Sequence, residues 1–520
     1  MRGGLTSDSE VSPPHVDVGR LDPLVQCPPF ANVPRHHYAG HCGEPKARVP
    51  SDNVSLTGPP PVSTNPLFRL TYDLRAELRS PAPFPPGDVM PSVRRTHRVI
   101  TDPLGLLLDA YERHGPVFSL RVLTTRVVFM IGPAANHRIL VSHAHDFTWR
   151  DGAFSDLIPL LGDGLLTIDG EFHRRSRRIM LPAFHRERIA AALGAMEEEI
   201  ERAVAPWRTG DRIDIYAWGR ELALRIALRA LFGIDPERRP AGTNPAREFE
   251  RALSYYGRDY WLQVLRGPRT PWAALTDARR KLDALILTEI ASRRRSGARG
   301  EDLLSLLLDA EDEDGSRLSD AHVRDEVMTL LFAGHDTTTA TVAFLLHELA
   351  RRPDVADAIA AELPAGTGYE ELMGGGLTQL DHALDETLRL YPPAWVGPRR
   401  AVRTFAFEGV TVPAGAPVNY SSYVSHRLPD VWDDPHAFRP ERFARKAEFP
   451  KGAYVPFGGG SRQCIGMRFG QLEIKSIAAR ILREHRLELP RGHRLEVRQT
   501  PTLGPKGGLV MRVGTPHPGA

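Results

Sequence analysis

The alternation of apolar and polar positions divides most of this chain into helices of different lengths. The longest amphipathic stretch covers about residues 320–352, with Ser319 as its N-cap and Pro353 as its stop. A helix of that length would span about 50 Å, enough to cross a whole domain. Apolar residues with a 3.6-residue period predict further helices over residues 189–204, 218–233 and 275–295.

Signals for β-strands are short and clustered. Two β-rich runs predict a hairpin over residues 117–131 that turns around Thr124-Thr125. Short strands are predicted within residues 405–420, and a terminal hairpin over residues 500–513 that turns at Lys506-Gly507-Gly508. The predicted fold class is therefore mainly α with small β-sheets.

Residues 1–85 differ from the remainder, because proline pairs interrupt them and they show no sustained period. They are predicted to form a disordered N-terminal extension. A stripe of leucines at positions 67, 70, 74 and 78 predicts one helix within it that docks on the core. Three histidines lie between Cys27 and Cys42, but their spacing matches no familiar zinc finger.

Composition excludes several classes of protein. The 520 residues are 42% hydrophobic and 25% charged, which is typical of a globular protein with a large core. A net charge of +3 gives no strong nucleic-acid signature, and three cysteines exclude a disulfide framework. No secretory signal or run of 18 apolar residues occurs, so a soluble, cytoplasmic protein is expected.

The most specific motif is FGGGSRQCIG, residues 457–466. Its glycines let the backbone pass close to a flat ligand, and Arg462 can pair with a carboxylate on that ligand. Cys464 comes just before a helical pattern over residues 467–482, whose positive dipole end favours a thiolate. The alternative is a buried cysteine in a glycine-rich turn, but it would not explain why the glycines and Arg462 stand at these positions. A thiolate at this place is a candidate ligand for haem iron.

The second motif is AGHDTT, residues 333–338, inside the longest helix. Gly334 costs about 1 kcal/mol there relative to alanine. The hydroxyls of Thr337 and Thr338 can compete with the backbone hydrogen bonds. A helix tolerates a glycine and two such threonines where its backbone must approach another group closely. The alternative is a solvent-facing Asp-Thr pair on an amphipathic helix.

Two further motifs place pairs of polar side chains on one helix face. ETLR, residues 386–389, is followed by LYPP and later by FRPERF, residues 438–443. In GEFHRRSRR, residues 170–178, His173 and Arg177 share one face while Arg174 and Arg178 share the next. Taken alone, both motifs are typical of solvated helix faces.

Together these motifs resemble those of the cytochrome P450 family, in the family's order and spacing, from about residue 95 to residue 515. The resemblance implies one large haem domain over residues 86–516, with haem between the long central helix and the helix after the cysteine. It implies haem b with Cys464 as the axial iron ligand. The other cofactor-binding residues that it implies are His173, Arg177, Arg399 (with Arg400 adjacent), Phe457 and Arg462.

The resemblance also implies roles for two other groups of residues. Asp336 and Thr337 would deliver protons during oxygen activation. Glu386, Arg389 and Arg442 would form a buried structural network behind the cysteine loop.

The implied function is a haem-thiolate monooxygenase that inserts one oxygen atom of O2 into an apolar organic substrate. Electrons would come from a separate ferredoxin or flavodoxin with its reductase. One alternative is a peroxide-driven oxygenase of the same fold, although such members typically lack the Asp336-Thr337 type of pair. Others are a non-catalytic haem protein that senses gas, and a soluble protein without haem. Neither a nucleic-acid partner nor the membrane anchor of microsomal members is expected.

Two surfaces follow from this interpretation. Substrate-facing positions are predicted within residues 149–161, at Tyr255, Tyr256, Tyr260 and Trp261, near Phe332 and Ala333, and at Ala394, Trp395 and Val396; the aromatic residues among them could equally be core. A basic docking patch for an acidic electron donor is predicted from Arg174, Arg178, Arg445, Lys446 and Lys451, with an ordinary solvated face as the alternative.

Overall fold

The computed structural model describes residues 66–237, 244–258, 260–311, 315, 317–363 and 368–515. The conceivable zinc site at Cys27 and Cys42 lies outside the described residues. Helices dominate the described part and the strands are short, so the predicted fold class is confirmed. The α-helices are, in chain order, α1 Pro66–Leu78, α2 Val93–Thr101, α3 Pro103–His114, α4 Pro133–His137, α5 Ile158–Leu161, α6 Gly170–Met180, α7 Arg186–Val204, α8 Ile215–Ile226, α9 Pro245–Tyr256, α10 Tyr260–Gln263, α11 Pro271–Ser296, α12 Leu303–Asp309, α13 Asp320–Arg351, α14 Pro353–Glu362, α15 Tyr369–Met373, α16 Thr378–Leu390, α17 Ser422–Ser425 and α18 Met467–Glu484.

The strands form one larger sheet and three small ones within the described residues. The larger sheet has the strand order β1-β2-β3-β9-β6-β4, the second β10-β13-β5, and the two-stranded sheets pair β11 with β12 and β7 with β8. The strands are β1 Gly87–Asp88, β2 Val117–Val122, β3 Thr125–Met130, β4 Phe147–Thr148, β5 Arg212–Asp214, β6 Gly397–Ala401, β7 Phe405–Phe407, β8 Val410–Val412, β9 Pro417–Tyr420, β10 Leu487–Glu488, β11 Val497–Arg498, β12 Gly504–Pro505 and β13 Val510–Val513.

Helix α13 is the centre of the fold and begins and ends close to the predicted residues. The Ser319 hydroxyl accepts a hydrogen bond from the backbone N–H of His322 at 3.2 Å, and Pro353 begins the next helix. Most of its residues are buried, because α8, α11, α16 and α18 all pack against it. A helix buried on nearly every side needs the mixed apolar pattern seen here rather than a single apolar stripe.

The hairpin predicted for residues 117–131 is present as β2 and β3, and short strands occupy residues 405–420. The terminal hairpin predicted for residues 500–513 is wrong. Strand β12 pairs with β11, whereas β13 pairs with β5 and β10 in a different sheet. The carboxylate of Asp214 accepts the backbone N–H of Leu509 at 3.0 Å, which fixes β13 beside β5. The glycines at 507 and 508 therefore connect two sheets.

The helix predicted from the leucine stripe is present as α1, but its orientation differs from the prediction. Leu67, Leu74 and Leu78 are exposed, and Leu78 retains 78% of its accessible surface. The side facing the core carries Asp73, whose carboxylate forms a buried ion pair with Arg400 at 2.6 Å. A buried charge needs its partner, so the ion pair decides which face of α1 packs inward.

The boundary predicted at residue 85 stays a prediction, with α1 on its N-terminal side. None of the helices in the described ranges combines the length and the apolar character that a bilayer span requires.

Candidate active site

A cavity of about 380 Å³ lies between the middle of α13 and the loop of residues 457–466. Ala333, Gly334 and Thr337 line it from α13, and Cys464 lines it from the loop. A Cβ atom added at Gly334 would have no other atom within 4 Å, so the space beside this residue is empty. Because glycine has no side chain, the helix backbone here is open to the cavity. The remaining walls are mostly apolar, which is the usual character of a site for a small organic molecule.

The cysteine loop has a path that only glycine permits at one point. Gly460 has a φ of +60°, and a Cβ there would lie 2.1 Å from the carbonyl oxygen of Leu140. The backbone N–H of Cys464 donates to the carbonyl oxygen of Phe457 at 2.9 Å and closes the loop. The loop thus holds Cys464 three residues before the start of α18.

The Cys464 side chain is accessible from the cavity, although its sulfur lies deep within the protein. Burial raises the pKa of the Cys464 thiol, whereas a hydrogen bond from the backbone of Gly466 and the charge of Arg177 lower it. The net direction is upward. Desolvation therefore outweighs the hydrogen bond and the charge of Arg177, and the thiolate stays a prediction.

Four basic side chains line the same cavity: His173 and Arg177 from α6, Arg399 from β6, and Arg462 from the cysteine loop. Arg462 donates to the Asp169 carboxylate at 2.5 Å and to the carbonyl oxygen of Ile168 at 2.8 Å. The Arg177 guanidinium makes no hydrogen bond or ion pair within the described part of the chain.

Crowding of these groups changes their pKa values. Burial, followed by the charges of Arg462 and Arg177, lowers the pKa of His173 to about 3, so its ring is neutral at pH 7. Burial also lowers the pKa of Arg462 to about 10, despite the opposing charge of Asp169. The cluster therefore has more positive than negative charge. A flat ligand with two carboxylates would neutralise this excess positive charge, and a metal ion at its centre could bind the sulfur of Cys464.

Asp336 is fully buried and does not line the cavity. Its carboxylate accepts hydrogen bonds from Tyr216 at 2.9 Å, Arg220 at 2.8 Å and Arg498 at 3.1 Å, and from the hydroxyl of Thr502. The two arginines lower the pKa of Asp336 to about 2 although burial alone would raise it. The adjacent Thr337 does line the cavity, and its hydroxyl donates to the Ala333 carbonyl oxygen at 2.6 Å.

The three residues of the predicted structural network lie together. Both oxygens of the Glu386 carboxylate accept hydrogen bonds from Arg389, at 2.7 and 2.8 Å, and one also accepts from Arg442 at 3.1 Å. The remaining donors of Arg389 reach the carbonyl oxygens of residues 426, 435 and 437. This arrangement joins α16 to the chain that leads to the cysteine loop.

Sequence reasoning missed two residues of the site. Glu473 lines the cavity from α18, with one carboxyl oxygen that lacks a partner among the described residues, and burial raises its pKa to about 8. It lies between Phe469 and Ile477 at i,i+4 spacing, and an acid on that apolar face was a usable signal. Thr502 gave no such signal, since only folding brings it to Asp336.

Eight residues from the predicted substrate-facing segments line the cavity, namely Trp149, Phe154, Leu157, Phe332, Ala333, Ala394, Trp395 and Val396. For Tyr255 and Tyr256 the core alternative holds, because they are buried against each other and do not line the cavity. The Tyr255 hydroxyl donates to the carbonyl oxygen of Gln263 at 2.8 Å. The side chains of Tyr260 and Trp261 lie outside the described part.

Comparison with known proteins gave consistent results. The family profile described as Cytochrome P450 matches residues 85–512. The cyclooctat-9-en-7-ol 5-monooxygenase of Streptomyces melanosporofaciens is 35% identical over 77% of this chain and 88% of its own length. The cyclooctatin synthase of the same organism is 32% identical over 79% and 91%. A structure of retinoic acid bound cyanobacterial CYP120A1 superposes with a TM-score of 0.75, at 28% identity, over 83% of this chain and 99% of that one.

Proposed function

Because this chain belongs to the cytochrome P450 family of monooxygenases, we propose that it inserts one oxygen atom of O2 into an apolar organic substrate. The observation that carries this proposal is the cavity shared by Cys464 and the open stretch of α13 at Gly334. The apolar walls and the basic cluster divide the cavity into a part suited to substrate and a part suited to an anionic cofactor.

Haem b is the proposed cofactor, as the family implies a haem-thiolate centre. Cys464 would bind the iron, and His173, Arg177, Arg399 and Arg462 would hold the two carboxylates. The surplus positive charge supports this assignment, since two propionates would offset it. Haem supplies the activation of O2 by electrons that arrive one at a time. The protein contributes the sulfur ligand, the orientation of the substrate and the path for protons.

Asp336 and Thr337 are the proposed proton donors to this chemistry. The Thr337 hydroxyl lies at the cavity, and Asp336, the residue before it, forms ion pairs with Arg220 and Arg498. Arg498 remains partly exposed, with 29% of its side-chain surface accessible. Neither guanidinium can accept a proton, so the two arginines would hold the carboxylate in place, and Asp336 would take up a proton from the solvent side before passing it on toward the cavity.

The proposed substrate is largely hydrocarbon and carries a polar group. The cavity walls support this, because most of their surface is apolar and several threonine residues are among their polar members. Similar proteins agree with this: one relative is a monooxygenase named for an alcohol, cyclooctat-9-en-7-ol, and one similar structure holds retinoic acid.

Electrons are proposed to come from an acidic ferredoxin or flavodoxin with its reductase. Arg174 and Arg178 are exposed on the face of α6 next to that of His173 and Arg177, which supports a docking role. The cytoplasmic location expected from the sequence stays a prediction.

The proposal is tested by replacing the proposed iron ligand. The purified protein should bind haem, and its reduced form with carbon monoxide should show the red-shifted Soret band that gives the family its name. Cys464→Ser should lose that band, because a hydroxyl does not provide a thiolate. Cys42→Ser, which removes a different thiol, should keep it. A Cys464→Ser protein with an unchanged band would refute the assignment.

A further inference from the structure

Thr502 is the point at which the buried Asp336 network reaches the cavity. Its hydroxyl hydrogen bonds to one oxygen of the Asp336 carboxylate, and the residue itself lines the cavity beside Pro501. The other partners of Asp336, from α8 and β11, do not line the cavity. Among the described hydrogen-bond partners of the Asp336 carboxylate, Thr502 is therefore the one that a bound molecule could contact.

The direction of the hydrogen bond is fixed by charge. Asp336 is paired with Arg220 and Arg498, so its carboxylate is ionised and can only accept. Thr502 must then be the donor, and its single hydroxyl proton is committed to Asp336. What Thr502 can offer to a molecule in the cavity is an oxygen lone pair, which accepts a hydrogen bond.

Two other hydroxyls of the cavity also donate to the protein, but to neutral groups. Thr337 donates to the carbonyl oxygen of Ala333 at 2.6 Å, and Thr341 donates to the carbonyl oxygen of Thr337 at 2.9 Å. A hydroxyl that donates to an anion is polarised more strongly, and its oxygen becomes a better acceptor. Thr502 is thus the strongest acceptor among these three hydroxyls.

The segment that carries Thr502 is held on both sides. The indole N–H of Trp395 donates to the carbonyl oxygen of Gln499 at 2.7 Å, and the backbone N–H of Leu503 donates to the carbonyl oxygen of Pro393 at 3.0 Å. A preorganised acceptor loses little entropy when a ligand binds to it. Its position relative to the cavity wall at Trp395 is therefore well defined.

We propose that Thr502 determines substrate specificity by accepting a hydrogen bond from a hydroxyl group of the substrate. The enzyme would accordingly prefer apolar alcohols to the matching ethers, which have no hydrogen to donate. This inference rests on the proposed function, because it names the substrate class of the same cavity. Thr502 takes no part in bond breaking and acts by orienting the substrate.

The test measures binding to the haem-loaded enzyme with matched pairs of ligands: farnesol, geranylgeraniol and retinol, each with its methyl ether. Affinity is followed by quenching of tryptophan fluorescence, since Trp149 and Trp395 line the cavity, and by the absorbance shift of the haem. At least one alcohol should bind about tenfold more tightly than its ether, which corresponds to one hydrogen bond in a buried site.

Three variants locate the acceptor. Thr502→Val, which has the same shape, should reduce the alcohol-to-ether preference to less than about twofold, and Thr502→Ser should restore it. Thr341→Val removes another cavity hydroxyl without touching Asp336 and should keep the preference. The proposal is overturned if no alcohol outcompetes its ether, if Thr502→Val keeps the preference, or if Thr341→Val abolishes it equally.

The carbon monoxide spectrum of the same preparations separates this proposal from the proposed function. A normal red-shifted band together with equal affinities for alcohol and ether counts against Thr502 alone. An absent band in the wild-type protein counts against the haem-thiolate function itself.

Discussion

Asp336 and Thr337 are neighbours in the sequence, but their side chains lie in different surroundings. Asp336 is buried among hydrogen-bond donors, two of them charged. Thr337 lies at the cavity wall, and its hydroxyl donates to a carbonyl oxygen of its own helix. The sequence could show that both residue types are present. It could not show the donors to Asp336, because Tyr216, Arg498 and Thr502 are more than 100 positions away and carry no motif.

Thr337→Ala should uncouple electron transfer from product formation. Loss of the hydroxyl removes a proton donor from the cavity, so more of the reduced oxygen should leave as peroxide. Substrate affinity should change less than about twofold, because the Thr337 hydroxyl is already bonded within α13. The measurement is the ratio of product formed to reductant consumed, with Thr341→Ala as the matched control. An unchanged ratio would remove Thr337 from proton delivery.

Glu473 should make stability depend on pH. Its folded-state pKa is raised from 4.5 to about 8 by burial, so the folded protein holds a proton that the unfolded chain loses above its ordinary pKa. The contribution of Glu473 is fully present below the unfolded pKa and is lost as the pH rises through the folded one.

Urea unfolding of the wild type and of Glu473→Gln between pH 5 and pH 9 measures this contribution. The free energy of unfolding of the wild type, relative to the variant, should fall by up to about 1.4 kcal/mol per pH unit toward pH 8. Groups common to both proteins cancel in the difference. A difference that is independent of pH would mean that Glu473 titrates normally.

At the scale of elements, local sequence signals predicted most helices. They failed where an element is positioned by contact with a distant part of the chain. Capping by Ser319 and the stop at Pro353 are local, so α13 was predicted closely. The terminal hairpin was predicted wrongly, because β13 takes its partner from residues 212–214 in a distant part of the chain. Helix α1 was predicted, but its inward face was not, since the decisive contact is with Arg400.

The Glu386 network should hold the elements behind the cysteine loop together. Arg389→Met leaves the Glu386 carboxylate buried with half its charge partners, and the free energy of unfolding should fall by about 3–5 kcal/mol. Urea unfolding at pH 7 measures the loss, and haem content should fall with it. Arg439→Ala is the control, because Arg439 pairs with the exposed Glu441 and should change stability by less than about 0.5 kcal/mol. Equally small losses of stability in both variants would show that the Glu386 network does not stabilise the fold.

At the scale of the whole molecule, the predicted docking patch is less basic than the sequence suggests. The side chains of Arg174 and Arg178 are 65% and 70% exposed, but both lie against the carboxylate of Glu171. Lys446 pairs with Asp385, and Arg445 lies near Glu448. The alternation of charge along these helices hides such pairs from a count of basic residues.

Charge changes on α6 should alter reduction by a separate acidic electron donor in opposite directions. Arg174→Glu with Arg178→Glu should slow the first electron about tenfold at low salt, whereas Glu171→Gln should accelerate it. Raising the salt concentration should bring the rates together, since screening weakens both effects. Stopped-flow reduction by an acidic ferredoxin measures the rates, with Arg512→Glu on β13 as the control. If α6 variants and control behave alike, the donor docks elsewhere.

The ion pair between Asp73 and Arg400 joins the part of the chain that matches the family profile to a segment that precedes it. Arg400 lies inside residues 85–512, which match the family profile, and Asp73 lies before them. A chimera that takes residues 1–84 from another family member would keep the arginine buried and lose its carboxylate, at a cost of about 3–5 kcal/mol. Exchanges of this N-terminal segment will therefore succeed only when they carry an acid at the position of Asp73, or when Arg400 is replaced at the same time.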